Sequence, residues 1–358
     1  MNRLARMLLS AVFALALSSS VVAADSVRPY SARKDVRQFI AQMVQKHGFA
    51  RQELRALFRK ARFQPAIIAA ITPPSEARAR SWQDYRAIFL TPRRIEAGVA
   101  FSEREHDALA RAAAIYGVPE EIIVGIIGVE TAYGRNTGNY RVMDALTTLA
   151  FDYPPRAEFF RSELEHYLLY ARDAGIDALS LKGSYAGAIG IPQFMPDSYR
   201  RYAVDLDGDG KQDLSSSFAD AIGSVANFLK EHGWRTGEPI AFRAQVEGTR
   251  FRKLIEAGIK PNTRCGDLAA IGVSTADKVP EAASCALIEL KTPGEASEYL
   301  VGLTNFYVIT RYNRSSMYAT AVFDLAQAVK SAATPANQAI APSSAAPGRA
   351  GYPPPPRD

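Results

Sequence analysis

Cysteine and histidine are scarce in this chain, which narrows the chemistry available to it. The 358 residues include only two cysteines and four histidines. The histidines all lie within helical patterns and have neither the spacing of zinc ligands nor the context of a nucleophile's partner: His47, His106, His166 and His232. We therefore expect neither a catalytic zinc ion nor a Cys–His nucleophilic pair.

Long apolar runs are lacking as well. Residues 7–17 are apolar, but this run is too short to cross a bilayer as a helix. It follows Arg3 and Arg6 and precedes small residues at 22–24, an order typical of a signal peptide, with a short membrane anchor as the alternative. We expect residues 1–24 to be cleaved. The product should be periplasmic, soluble and, since no cysteine follows the apolar run, not lipidated.

Strong charge of either sign is absent too. The net charge is +6, and it falls to +4 when Arg3 and Arg6 leave with the signal peptide. This excess suits a polyanionic surface such as cell wall, although it is weak evidence, and we expect no nucleic-acid partner. The contents of 47% hydrophobic and 22% charged residues are those of an ordinary globular protein, long enough for two or three domains.

The stretch PEEIIVGIIGVETAYGRNTG, residues 119–138, predicts the central helix of the fold. It begins with Pro119 and two acids and is then apolar on every side, so it should be buried. Its last turn carries Glu130, and Gly134 is a plausible left-handed cap. Burial and the helix dipole both raise the pKa of a carboxyl group there, as a general acid requires. A lone glutamate at a helix end is more often merely solvated, so the rest of the chain must decide.

The periodicity of the whole chain predicts a predominantly α (α+β) fold. Helices are expected at 35–47, 51–62, 102–116, 143–151, 156–172, 197–203, 219–232 and 299–309 and up to residue 329, the third starting from a capping box at Ser102 and Glu105. Residues 239–246 and 286–290 alternate as strands. The organisation is a helical region at 25–80, a core at 81–237, a small β-rich insertion at 238–300, the end of the core at 301–331 and a disordered Pro/Ala-rich tail at 332–358. A looped extension is the alternative for the insertion.

Two loops carry candidate ligand groups. In GSYAGAIGIPQFMP, residues 183–196, glycines let the backbone approach a ligand, and Ser184 and Gln193 can present hydrogen-bonding groups in an apolar groove that suits a sugar. A tight structural loop is the alternative. In DLDGDGKQD, residues 205–213, the spacing is that of an EF-hand loop: Asp205, Asp207, Asp209, the Lys211 carbonyl and Asp213. Ser216 stands where the closing glutamate would be, so Asp220 is a candidate to close a structural Ca²⁺ site.

The two cysteines, Cys265 and Cys285, both lie in the predicted insertion. In an oxidising compartment a disulfide between them is the natural expectation, worth on the order of 3 kcal/mol for a loop of about 20 residues. Two buried free thiols are the alternative.

Taken together, the motifs resemble the lytic murein transglycosylase B family over about residues 30–330. The segments that carry the resemblance are GIIGVETAYGRNTG, ALTTLAFDYPPRAEFF, LKGSYAGAIGIPQFMPDSYRRYAVDLDGDG, DAIGSVANFLKEHGW and TRYNRSSMYA. The resemblance implies a lysozyme-like core with an extra helical region, a small β-rich part and a Ca²⁺ loop. It implies cleavage of the β-1,4 bond between N-acetylmuramic acid and N-acetylglucosamine without water, giving 1,6-anhydromuramoyl products in cell-wall remodelling or turnover.

The resemblance also implies roles for single residues. Glu130 would be the catalytic residue, acting as acid and then as base, and the substrate's N-acetyl group would stabilise the cation at C1. The glycan groove would be lined by Ser184, Gln193, Phe194, Tyr312, Asn313 and Tyr318, with Tyr85 at a more distant subsite. Phe159 and Phe228 depart from expected groove tyrosines, Pro155 from a basic residue and Pro192 from a glycine, which puts particular contacts in doubt.

Two rival functions stay open at this point. A lysozyme-type hydrolase would need a second carboxylate, and Asp144 and Asp152 are the nearest in sequence. A non-catalytic murein-binding scaffold is the other. We expect peptidoglycan strands as the partner, with cell-wall synthesis or division proteins as further candidates, and a monomer without an organic cofactor. The sequence leaves open the choice between endo- and exo-action and between peptide-bearing and bare glycan.

Overall fold

The apolar periodicity of the chain is realised as a mainly helical structure with two small sheets. The computed structural model describes residues 29–72 and 81–333. The predicted signal peptide at 1–24 lies outside the described residues, as does the predicted tail at 332–358 apart from its first two residues.

The described residues form fourteen α-helices and seven strands. The helices are α1 (Lys34–His47), α2 (Arg51–Lys60), α3 (Pro65–Ile71), α4 (Trp82–Phe89), α5 (Pro92–Arg104), α6 (His106–Tyr116), α7 (Glu120–Thr131), α8 (Val142–Asp152), α9 (Ala157–Asp173), α10 (Pro196–Tyr202), α11 (Phe218–Glu231), α12 (Arg252–Glu256), α13 (Thr304–Tyr312) and α14 (Ser316–Ala333). The strands are β1 (Tyr140–Arg141), β2 (Lys182–Gly183), β3 (Ala241–Val246), β4 (Thr263–Arg264), β5 (Val273–Thr275), β6 (Ser284–Leu290) and β7 (Glu298–Gly302).

Two of the predicted helices begin at the wrong residue. Ser102 does not begin a helix: it lies inside α5, where its hydroxyl donates to the Gly98 carbonyl at 2.9 Å, and the chain turns at Glu105 before α6 starts. Residues 299–302 belong to β7, because this segment pairs with β3 on one side and β6 on the other. Helical structure returns only at Thr304.

Helix α7 lies at the centre of the main hydrophobic core, as its uniformly apolar sequence predicts. Every residue from Ile122 to Val129 is buried. Gly125 is required for its packing on α14, since a Cβ there would lie 2.8 Å from the carbonyl oxygen of Val322. The close approach of the two helices places the N-terminal turn of α14 beside the C-terminal turn of α7, where Glu130 is found.

The larger sheet has the strand order β4-β6-β7-β3-β5, and neighbouring strands in it are antiparallel. One side of it covers a second apolar cluster that contains Cys285, Leu287 and Val301. The other connects to the helices, where the backbone N–H of Trp82 at the start of α4 donates to the Lys291 carbonyl at 2.8 Å. The sheet thereby helps to position α4, which carries Tyr85.

Among the described residues, no single helix is long and apolar enough to cross a membrane. The pair α6 and α7 meets the requirement by length and composition only, with a bend of 115° between them.

Candidate active site

The turn after α7 fixes the position of Glu130. The helix is closed by Ala132 in the left-handed conformation (φ 50°, ψ 50°) and not, as predicted, by Gly134. Tyr133 also has a positive φ of 63°. Two successive non-glycine residues in this region cost of order 1 kcal/mol each, so tertiary contacts must hold them there. Thr131 supplies such contacts: its hydroxyl donates to the Ile191 carbonyl at 2.9 Å and accepts from the Gly134 N–H at 3.0 Å.

Glu130 is paired with a phenol and not with a second charge. The Tyr318 hydroxyl, at the start of α14, donates to Glu130 Oε1 at 2.6 Å. Burial raises the pKa of Glu130 to about 7, and the hydrogen bond from Tyr318 opposes this shift only in part. The side chain nevertheless keeps some solvent exposure. This carboxyl group can therefore carry a proton near neutral pH and still reach a ligand, as the sequence predicted.

An aromatic cluster lies next to Tyr318, the hydrogen-bond partner of Glu130. Tyr312 lies nearly parallel to Tyr318 with ring centroids 6.4 Å apart, and its hydroxyl donates to the Pro192 carbonyl at 2.5 Å. Phe194 and Phe228 pack against Tyr312 at centroid distances of 5.8 and 4.8 Å. Phe228 is 6% exposed, so it is a buried member of this cluster.

Ser184 and Gln193 lie in one folded loop, which brings together residues nine positions apart. The Ser184 hydroxyl accepts from the Ala188 N–H at 3.0 Å. Gln193 has a φ of 52°, and its amide nitrogen donates to the carbonyls of Gly190 at 2.8 Å and Thr137 at 3.0 Å. No described residue donates to the amide oxygen of Gln193. The loop therefore carries both the structural role and the groups needed for a ligand.

Asn313 and Tyr85 flank this centre. Asn313 ends α13 and is exposed, directly beside Tyr312. Tyr85 stacks at 5.2 Å on Phe89 within α4 and lies close enough to Tyr318 to contribute to its raised pKa. Tyr312 and Tyr85 therefore both lie near Tyr318, the hydrogen-bond partner of Glu130.

The two aspartates considered as a second catalytic group are engaged elsewhere. Asp144 is 3% exposed and receives two hydrogen bonds of 2.8 Å from the Arg141 guanidinium. Asp152 accepts hydrogen bonds from Arg33 and Tyr30 of the N-terminal helical region. Both carboxylates join the N-terminal region to α8 and its flanking strand. Within the described residues, neither contacts Glu130.

The Asp-rich loop brings three of the predicted ligand carboxylates together. Carboxylate oxygens of Asp205, Asp207 and Asp209 lie within 4.8 Å of one another, and all three residues are exposed. Hard oxygen donors in this arrangement fit Ca²⁺. Lys211 follows at the turn, and its N–H donates to Asp209 at 2.8 Å.

Asp220 and Asp213 hold the loop from within. Asp220 is 1% exposed, and its two oxygens accept from the N–H groups of Leu206 and Asp213, each at 2.8 Å. Asp213 accepts from the N–H groups of Ser215 and Ser216. Asp220 is therefore outside the three-carboxylate group, because its position at the first turn of the buried helix α11 directs it to backbone donors beneath the loop.

Cys265 and Cys285 are both buried free thiols in the structure. Cys265 directly follows β4, and Cys285 lies in the neighbouring strand β6, where it is opposite Thr263. Burial raises the pKa of each thiol, and each also affects the pKa of the other, so the two sulfur atoms are close. In this structure the two cysteines have the form named as the alternative to the expected disulfide.

Sequence reasoning missed three residues that the structure makes important. Thr131 joins the end of α7 to the loop of Gln193. Arg94 on α5 donates to the Gly128 carbonyl at 2.7 Å and so covers the C-terminal end of α7. Glu163 is a second buried carboxyl group whose pKa is raised to about 7, first by burial. Only Thr131 had a local signal, as a hydroxyl directly after Glu130.

Comparison with known proteins agrees with this geometry. Residues 31–327 match the family described as the transglycosylase SLT domain. The membrane-bound lytic murein transglycosylase B of Escherichia coli (strain K12) is 45% identical over 304 residues, which is 82% of each chain.

Solved structures share the fold at similar identity. The soluble lytic transglycosylase SltB1 from Pseudomonas aeruginosa is 50% identical, with a TM-score of 0.78 over 83% of this chain and 99% of its own. The Escherichia coli lytic transglycosylase Slt35, solved in complex with calcium, is 44% identical, with a TM-score of 0.75 over 84% of this chain and 94% of its own.

Proposed function

Since the chain belongs to the transglycosylase SLT domain family, we propose that Glu130 is its one catalytic group, serving first as acid and then as base. The protein is a lytic transglycosylase of peptidoglycan. The bond it cleaves is the β-1,4 bond between N-acetylmuramic acid and N-acetylglucosamine. The product is a 1,6-anhydromuramoyl end.

The first step transfers the proton of Glu130 to the glycosidic oxygen as the bond to C1 of the muramic acid breaks. The raised pKa of Glu130 supports this step, because the group must carry its proton before the reaction. The N-acetyl oxygen of the same sugar shares its electron pair with the developing cation at C1. The leaving sugar departs with a new 4-hydroxyl group.

The second step returns the proton. Glu130, now a carboxylate, accepts it from the C6 hydroxyl as that oxygen bonds to C1 and the N-acetyl oxygen is released. No water enters the balance, and the enzyme regains its starting protonation state. Tyr318 supports both steps, since a donor at 2.6 Å stabilises the carboxylate form while burial favours the acid form.

One observation carries the proposal. Among the described residues, Glu130 contacts the phenol of Tyr318, whereas Asp144 and Asp152 are bound to arginines and do not contact Glu130. A hydrolase of the lysozyme type needs a second carboxylate or a positioned water on the opposite face of the sugar. A single carboxyl group among neutral hydroxyl groups suits an intramolecular reaction in which the C6 hydroxyl oxygen attacks C1 of the same sugar.

The glycan contacts are proposed on the same footing. Tyr312, Tyr318 and Phe194 offer apolar faces for sugar rings, and Tyr85 lies farther along the groove. Ser184, Gln193 and Asn313 supply hydroxyl and amide groups for the sugar amides and hydroxyls. The relative SltB3 from Pseudomonas aeruginosa, 32% identical, was solved with NAG-NAM-pentapeptide. We assign a ligand of that class to this groove.

The mass of the products tests the mechanism. Purified peptidoglycan is digested and the released muropeptides are analysed by mass spectrometry. We expect anhydro ends without a reducing terminus. Products heavier by one water throughout would identify a hydrolase, and no release at all would support a scaffold.

The loop of Asp205, Asp207 and Asp209 is proposed to bind a structural Ca²⁺ ion, with the Lys211 carbonyl as a further ligand. Asp220 would hold the two sides of the loop through backbone N–H groups and not bind the metal. The relative Slt35 was solved in complex with calcium, which supports the choice of ion. The ion would compensate three exposed carboxylates and supplies no step of the reaction.

The cysteines are proposed to form a disulfide after export. Cys265, just after β4, and Cys285 in the neighbouring strand β6 lie close together, and oxidation by a thiol oxidant of the cell envelope would remove two protons and two electrons. Mass spectrometry of the intact protein before and after reduction tests this. Alkylation of both thiols in protein purified without reductant would contradict it.

The periplasm is the proposed location, since the substrate lies there. Cell fractionation would separate a free periplasmic protein from a membrane-held one. Cell-wall assembly proteins are proposed as partners because of the chemistry of the substrate. The protein is proposed to be a monomer, and its mass by analytical ultracentrifugation tests this.

A further inference from the structure

Charged side chains of alternating sign connect α4, α14 and the larger sheet. Asp324 of α14 accepts from the Arg243 guanidinium of β3 at 2.6 Å, and its second oxygen lies 3.6 Å from Nε of Arg86 on α4. Arg243 also donates to Glu298 of β7 at 3.2 Å. We call the series Arg86, Asp324, Arg243 and Glu298 the ion-pair chain. It joins α4 to the sheet through one carboxylate of α14.

The centre of the ion-pair chain is buried and its two ends are exposed. The side chain of Asp324 is 7% exposed, whereas those of Arg86 and Glu298 are 48% and 51% exposed. Within the described residues, the second oxygen of Asp324 accepts no hydrogen bond, so Arg86 acts on it by charge. Burial raises the pKa of Asp324, and the charges of Arg243 and Arg86 oppose that rise. A buried carboxylate is costly without such partners, so Asp324 restricts where both arginines can lie.

The register of the sheet directs Arg243 towards the helices. Arg243 lies opposite Leu300 of β7, and Leu300 lies opposite Ile288 of β6. Directly opposed residues project from the same face of a sheet. Both Leu300 and Ile288 belong to the main hydrophobic core. Arg243 therefore leaves the sheet on the side of the helical core, where it meets Asp324.

Helix α4 has two kinds of contact with its surroundings. Its first turn is tied to the sheet by the backbone N–H of Trp82, and the side chain of Tyr85 packs against the main core. Apolar packing is non-directional, so it permits small shifts of one helix along another. The charge contact of Arg86 with Asp324 is directional, and it joins α4 to α14 at the residue next to Tyr85.

We propose that Asp324 is a positioning residue for the distant glycan subsite: it holds Arg86 and thereby orients α4 and the Tyr85 side chain along the groove. The β-rich insertion then has a role in substrate binding, because Arg243 of β3 holds the same carboxylate from the other side. This inference rests on the proposed function, in which Tyr85 contacts a sugar. The ion-pair chain itself neither binds the glycan nor takes part in proton transfer.

Glycan oligomers of two lengths test this role. The longer one reaches Tyr85, the shorter one spans only the sugars on either side of the cleaved bond, and KM and kcat are measured for each. For Tyr85→Ala and for Arg86→Gln we expect the KM of the longer oligomer to rise by about 10-fold, as for the loss of one aromatic contact with a sugar ring. The kcat values and the KM of the shorter oligomer should change less than about twofold, because only binding at a distance is altered.

Glu298→Gln is the matched control. Arg86 and Glu298 are the two ends of the ion-pair chain and are about equally exposed, but only Arg86 lies on α4. Glu298→Gln should therefore keep the wild-type KM for both oligomers. An unchanged KM of the longer oligomer in Arg86→Gln, or the same rise in Glu298→Gln, would overturn the inference.

A combined variant separates positioning from direct binding of the glycan by Arg86. Asp324→Asn keeps the size of the side chain and removes its charge, so it should raise the KM of the longer oligomer as Arg86→Gln does. If Arg86 acts through Asp324, the combined variant should be no worse than either single variant. A further rise would show that Arg86 contacts the glycan and would contradict the proposal. If Asp324→Asn does not fold, Arg86→Gln combined with Tyr85→Ala decides by the same rule.

Failure of the proposed function would look different. If the wild type cleaved neither oligomer, the mechanism would be wrong, and calorimetry with the same two oligomers would judge the positioning role. Tighter binding of the longer oligomer, lost in Arg86→Gln and kept in Glu298→Gln, supports this role. Equal binding of both oligomers by the wild type contradicts it.

Discussion

The end of α7 and the contact between α9 and α10 each bury one glutamate, and burial raises the pKa of both Glu130 and Glu163 to about 7. Their partners differ. Glu130 accepts a hydrogen bond from the phenol of Tyr318 and keeps part of its surface open to the groove. Glu163 is 5% exposed and accepts from the backbone N–H of Asp197 at 3.0 Å.

This difference separates a reactive group from a structural one. Asp197 is in the first turn of α10, so Glu163 satisfies one of the backbone donors that a helix start leaves unpaired. Glu163 thus caps α10 from another helix. The negative charge of Asp197 raises the pKa of Glu163 further, and the positive charges of Arg156 and Arg201 lower it. A raised pKa alone therefore does not identify a catalytic acid. The exposure that Glu130 keeps and its side-chain hydroxyl partner are what support the proposal that it is the acid.

The largest effect is expected from Glu130→Gln. Glutamine keeps the shape and can accept from Tyr318, but it can neither give nor take the proton, so kcat should fall by about 10³-fold or more. The melting temperature should stay equal or rise, because a buried ionisable group is removed. Release of anhydromuropeptides and thermal unfolding measure the two quantities. Glu163→Gln is the matched control, and it should keep nearly all activity; the reverse result would exchange the roles of the two glutamates.

Tyr318→Phe should have the next largest effect, a loss of roughly 10-fold in kcat/KM, since a hydrogen bond to a charged group is worth ~1.5–3 kcal/mol. The pH profile gives a sharper test. The acid form of Glu130 is the active one in the free enzyme, so kcat/KM should decline as pH rises through about 7. Tyr318 lowers the pKa of Glu130, so its removal should move the decline to higher pH. A shift to lower pH would contradict the assigned contact.

Glu163 should affect stability and not turnover. Its pKa is raised in the folded protein, so folding is favoured most while the group is protonated in both states. Stability should then decline between the ordinary glutamate pKa and about 7. Glu163→Gln keeps the acceptor for Asp197 and should flatten this part of the curve. Glu163→Ala removes the acceptor and should cost about 1–3 kcal/mol at all pH values.

Chemical denaturation at pH 5, 6, 7 and 8 distinguishes these outcomes. Glu130 contributes a decline of the same sign, so the Glu163→Gln curve should keep a remaining slope that disappears when Glu130→Gln is added. An unchanged slope in the double variant would show that neither glutamate is responsible.

The comparison also explains what the sequence could predict. Glu130 ends an apolar helix, and both its burial and its position follow from about twelve consecutive residues. Glu163 lies on a helix that the sequence predicted, yet its own burial depends on the start of α10, 34 residues away. Local patterns identify a helix face, but not which polar residue a distant backbone will contact.

The same limit applies to the details of both regions. Gly134 was predicted as the cap of α7 because glycine is the usual residue there, whereas the contact of Thr131 with Ile191 closes the helix at Ala132. Asp220 was named as a candidate metal ligand by spacing, and the sequence did not indicate that its two oxygens accept from the backbone N–H groups of Leu206 and Asp213.

The smallest effect concerns the Asp-rich loop, which follows α10 on the side of Glu163. If Ca²⁺ binds Asp205, Asp207 and Asp209, saturation at 100 times Kd adds about 2.7 kcal/mol of stability. A chelator should then lower the melting temperature by roughly 5 °C in a protein of this size, and Ca²⁺ should restore it. The variant Asp205→Asn/Asp209→Asn should be insensitive to both additions.

Activity gives the final contrast between the two regions. Asp220 holds the loop to α11, whereas Glu130 is held by Tyr318 of α14. Because the two sets of contacts are separate, kcat measured well below the melting temperature should change less than twofold on chelation. A melting temperature that ignores chelator would remove the Ca²⁺ assignment. A large fall in kcat at constant stability would instead show that the loop shapes the groove, and the separation between reactive and structural regions would fail.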